Sequence, residues 1–96
     1  MAQQIRQEIT QDIGSFLAQL SDLGYEPTGS LYDAQAFGNY YVDLRKGKSW
    51  LRIGRDRSQY FVDVESKDEL RDAGMLRAFD DRGAFENAVL EWLRAA

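Results

Sequence analysis

The sequence predicts an α+β domain: an antiparallel meander of three to four strands, packed on one face by N- and C-terminal helices, in the order α-(β)-β-β-β-α-α. Three observations predict it. Apolar residues recur at helical steps near both ends of the chain, they alternate with polar ones through the middle, and short polar connectors separate the alternating runs. With 96 residues the chain is read as one domain, 1–96, large enough for a single two-layer core.

The first helix rests on Ile5, Ile9, Ile13, Phe16, Leu17, Leu20 and Leu23, which share one face, with Gln4, Gln7, Glu8, Gln11, Asp12, Ser15 and Gln19 on the other. Gly24 is placed to end it and Pro27 to prevent its resumption. Gly14, which costs about 1 kcal/mol against Ala inside a helix, is expected to mark close packing on the sheet.

Alternation then sets in. Tyr40, Val42 and Leu44 interleave with Tyr41, Asp43 and Arg45; Leu51 and Ile53 with Trp50 and Arg52; Tyr60, Val62 and Val64 with Phe61, Asp63 and Glu65. Lys46-Gly47-Lys48 and Arg55-Asp56-Arg57-Ser58 serve as hairpin connectors. Ser30 to Phe37 is the candidate fourth strand, with Gly38-Asn39 as its turn or bulge. Beyond the sheet, Ser66 and Glu69 form a capping-box pattern for a short helix over Lys67 to Ala73, stopped by Gly74. Met75 to Phe79 should cover an edge of the core. Asp80 or Asp81 caps a last helix through Arg94, with Phe85, Ala88, Val89, Trp92 and Leu93 as its buried stripe.

Composition narrows the chemistry. The chain has no Cys and no His, which removes disulfides, thiolate nucleophiles and the usual zinc ligands and neutral-pH bases. No phosphate loop, calcium loop or nucleophile–base pattern is present, so no enzyme, cofactor or metal site is expected. The apolar runs are too short for a membrane span, and the N-terminus is unlike a signal peptide, so a cytoplasmic protein without a membrane partner is expected. The formal net charge of −4 favours a basic partner over nucleic acid.

If Tyr40, Val42, Leu44, Leu51, Ile53, Tyr60, Val62 and Val64 face the helices, the opposite face carries Tyr41, Asp43, Arg45, Trp50, Arg52, Phe61, Asp63 and Glu65. Three aromatics there exceed what solubility requires, and Tyr, Trp and Arg are the residues that anchor protein interfaces. Cross-strand stabilisation explains the same residues without a partner. Next to them runs an acidic segment from Asp63 to Asp81. The expected contact set is Tyr41, Trp50, Phe61, Asp63, Glu65, Asp68 and Glu69.

Phe37-Gly38-Asn39-Tyr40-Tyr41-Val42-Asp43-Leu44 and Leu51-Arg52-Ile53-Gly54-Arg55-Asp56-Arg57-Ser58-Gln59-Tyr60-Phe61-Val62-Asp63-Val64 resemble segments of small bacterial immunity proteins from polymorphic-toxin and contact-dependent growth-inhibition systems. The resemblance, over residues 37–64, implies an inhibitor that neutralises a cognate toxin domain, such as a nuclease, by occluding its active site or substrate channel. Two other readings stand beside it. One is a nucleic-acid-associated module using Arg45, Lys48, Arg52, Arg55 and Arg57 beside Trp50. The other is a homodimer formed through the outer face.

Overall fold

The computed structural model describes residues 5–36 and 38–95 and shows the α+β architecture expected. In chain order the elements are α1 (Gln7–Asp22), β1 (Glu26–Asp33), β2 (Asn39–Lys46), β3 (Ser49–Asp56), β4 (Gln59–Val64), α2 (Lys67–Asp72) and α3 (Arg82–Ala95). The strands form one antiparallel sheet in the order β1-β2-β3-β4.

The inner face of the sheet is the core face. Tyr40, Val42, Leu44, Leu51, Ile53, Tyr60 and Val62 are buried against Ile9, Ile13, Phe16, Leu17 and Leu20 of α1, Leu70 of α2, and Phe85, Val89 and Leu90 of α3. Val64 is only half-buried. Phe85 is the hub of the aromatic packing, with ring centroids 5.8 Å from Phe16, 5.7 Å from Tyr60 and 5.5 Å from Phe79. Leu90, one position outside the expected stripe of α3, is also buried.

Helix ends follow their capping chemistry. Gly24 (φ +97°) closes α1, and the Tyr25 N–H donates to the Leu20 carbonyl at 2.9 Å. Ser66 Oγ accepts from the Glu69 N–H at 3.3 Å at the start of α2. Of the two candidate caps for α3, Asp81 is the one used, accepting from the Ala84 N–H at 2.7 Å.

Four local expectations need correction. Gly14 does not mark close packing on the sheet, since a Cβ there would meet only Thr10 at 3.5 Å. It follows instead a break in helical geometry at Ile13 (φ −128°, ψ 19°). The fourth strand starts and ends earlier than Ser30 to Phe37: Pro27 lies inside β1, while Asp33 Oδ1 accepts from the Gln35 and Ala36 N–H groups and turns the chain. Phe37 lies outside the described residues. The hairpin connectors shrink to two residues each, Gly47-Lys48 and Arg57-Ser58, and Arg55 and Asp56 belong to β3. From Met75 to Phe79, only those two end residues reach the core, and Leu76 is exposed.

Candidate protein-binding face

Register places the outer side chains in rows across the strands. Leu31, Tyr41, Gly54 and Phe61 form one row, and Gly29, Asp43, Arg52 and Asp63 the next. Arg45 and Trp50 pair in a third. The helices bury the alternate positions, so Tyr41, Trp50 and Phe61 remain half-exposed and Leu31 is 53% exposed.

The apolar row is held in place from beneath and beside. Phe61 lies over Gly54 so closely that a Cβ on Gly54 would sit 2.2 Å from its ring. Only a residue without a side chain admits that approach. Arg52 stacks on Tyr41, its guanidinium carbon 3.8 Å from the ring centroid, while donating twice to Asp43 at 2.7 and 3.0 Å. Leu31, Tyr41 and Phe61 thereby line a shallow groove together with Asp33 and Ala36.

The expected contact residues divide between two places. Tyr41 and Phe61 come together across Gly54. Trp50 sits at the other end of the face, beyond the Arg52 row, in a shallow groove with Thr28, Asp43 and Arg45. Asp63 is half-buried and engaged by Lys67, one turn along the chain. Glu65 is exposed just past β4, and Asp68 is exposed and paired with Arg71 at 2.8 Å. Glu69 lines a groove with Trp50, Tyr25 and Trp92, at the Trp50 end of the molecule rather than near Phe61.

The arginines proposed for nucleic acid divide between the two ends of the sheet, with Arg45 and Arg52 lining one groove beside Trp50 and Arg55 and Arg57 lying toward the other end. Arg52 is held by Asp43, Arg55 lies in the inner row between Tyr40 and Tyr60, and Arg57 occupies the β3–β4 turn. Arg45 and Lys48 lie at the opposite hairpin.

Two features escaped the sequence reading. Leu31 is obscured because its strand is poorly marked, and Gly54 inside an alternating run signals a close approach without naming Phe61 as the residue that makes it. The second is a polar clamp on the helix side. Asp12 accepts hydrogen bonds from the Tyr40 and Tyr60 hydroxyls, at 2.5 Å and 2.9 Å, with Arg82 at 3.2 Å and Arg55 at 3.8 Å. Burial disfavours the Asp12 carboxylate, but the two phenols and two guanidiniums outweigh it and hold its pKa below the usual value. Burial, then the Asp12 hydrogen bond, pushes Tyr40 and Tyr60 upward. Among the described residues no helix is long and apolar enough to cross a membrane. Comparison with protein-family profiles, with curated proteins and with solved structures returned no match.

Proposed function

We propose that this chain is a cytoplasmic immunity protein that binds one cognate bacterial toxin domain, a nuclease, and occludes its active site or substrate channel with the outer face of the sheet. The observation that carries the reading is the half-exposed pair Tyr41 and Phe61, fixed by Arg52 and Gly54 on a face the helices leave open. Aromatic anchors already held in one geometry lose little conformational freedom on docking. Asp63 and Asp68 are already paired with Lys67 and Arg71, so within the acidic segment Glu65 and Glu69 are the carboxylates suited to a basic partner such as a phosphate-binding surface, where complementary charge speeds encounter.

The test is co-expression with the protein encoded immediately upstream, which this reading requires to be the toxin. Wild type should protect cells and co-purify in a stoichiometric complex. Tyr41→Ala or Phe61→Ala should weaken the complex about 30-fold, as expected for a hot-spot aromatic near 2 kcal/mol. Toxicity unaffected by the wild-type protein would sink the proposal. So would tight, steeply salt-dependent binding of labelled RNA or DNA by the isolated chain, which would favour the arginine-based reading.

A further inference from the structure

β1 is an edge strand, and its register decides which of its backbone groups are free. The tight β2–β3 turn directs Tyr40, Val42 and Leu44 toward β3, so Asn39, Tyr41 and Asp43 hydrogen-bond toward β1. Their partners Asp33, Leu31 and Gly29 use their own groups on β2. Ser30 and Tyr32 consequently turn N–H and C=O outward, and among the described residues no backbone group meets them. The other edge is treated differently. Phe79 exchanges two backbone hydrogen bonds of 2.8 Å with Tyr60, and α2 packs along β4. Beside the open edge stands Leu31, more exposed than Leu76, the other exposed large hydrophobic among the described residues.

We propose that two copies of this chain pair β1 to β1, antiparallel, about a two-fold axis at Leu31, joining the two four-stranded sheets into one. The strand is self-complementary in that register. Ser30 faces Tyr32 of the other copy, so the outward groups of each meet those of its partner. Leu31 faces Leu31 in a non-hydrogen-bonded pair, where Cα atoms approach to about 4.5 Å and side chains touch. Asp33 falls opposite Gly29, so no like charges are opposed. An axis at Ser30 would put Leu31 against Gly29, and an axis at Tyr32 would put it against Asp33; neither gives Leu31 an apolar partner. The register shift between Pro27 and Gly29 ends the paired stretch. A surface that matches itself under a two-fold is the requirement for an isologous dimer.

The chain has no cysteine, so single-thiol variants report directly on this geometry. Sedimentation should show the wild-type mass rising with concentration from 11.0 kDa toward twice that value. Leu31→Lys, checked for native fold by circular dichroism, should stay monomeric over the same range. Under mild oxidation Leu31→Cys should form an intermolecular disulfide at least tenfold faster than Leu76→Cys. A wild type that stays monomeric throughout, a Leu31→Lys variant that still dimerises, or equal cross-linking of the two cysteine variants overturns the proposal. Toxin binding enters none of these readouts.

Discussion

A methyl group added to Gly54 would lie 2.2 Å from Phe61 Cζ and 2.3 Å from Cε1, far inside van der Waals contact. Phe61 therefore covers bare backbone, and its ring position depends on a neighbouring strand having no side chain. Gly54→Ala should destabilise the fold by about 1–3 kcal/mol, the usual penalty for overpacking, and tilt the ring off the face. Gly54→Ala/Phe61→Ala should recover much of that loss, because the colliding group is gone. Denaturant titration of both variants checks the pair; a double variant no more stable than the single one would show that Gly54 matters for another reason.

At the scale of elements, the β3–β4 turn is built against residue preference. Arg57 (φ 54°) and Ser58 (φ 67°) both occupy the left-handed region, where a two-residue hairpin wants Asn-Gly. Asn39 holds the turn from outside, accepting the Arg57 N–H and donating to Asp56, each at 3.0 Å. Replacing Arg57-Ser58 with Asn-Gly should raise stability by about 1 kcal/mol, measured by chemical denaturation, because the left-handed penalty is relieved. No gain would mean that the Asn39 bonds already offset the strain. α1, α3 and the β2–β4 meander were legible because each repeats its period over several apolar residues. β1 was legible only in part, for two reasons: Pro27 is a stop signal for a helix but tolerable on an edge strand, and Asp33-Ala34-Gln35-Ala36 carries no Gly or Pro to mark where the strand gives way to its turn. The division of outer from inner residues followed from alternation alone. The Asp12 clamp did not, because Asp12 occupies an ordinary polar position on a helix and its partners lie 28 and 48 residues away.

For the whole molecule, that clamp ties α1, the sheet and α3 together through one carboxylate. A carboxyl held below its ordinary 3.8 contributes stability above that pH and loses it as pH falls through the folded value. Phenols held above their ordinary 10.0 contribute fully below pH 10 and lose it as pH rises further. Glu86, raised above 4.5 chiefly by burial, has the opposite sign to Asp12, favouring the fold at low pH and less as it ionises. Melting temperature should therefore be highest between these limits. Tyr40→Phe should lower the unfolding free energy in that range by about 1–2 kcal/mol, by withdrawing a donor from Asp12, and flatten the alkaline limb. An unchanged alkaline limb would assign it to other groups.

The outer residues differ in how far they are tied to the helix side, where Trp50 shares a groove with Tyr25, Glu69 and Trp92, and this separates two kinds of mutational freedom. Tyr41 belongs to no jigsaw of the interior, so it can be exchanged without asking any helix to repack. Phe61 is less free, being matched to Gly54 beneath it. A lineage diversifying what this surface recognises would thus find its cheapest steps at Tyr41, and would change Phe61 only in concert with the strand beside it and Trp50 in concert with α2 and α3.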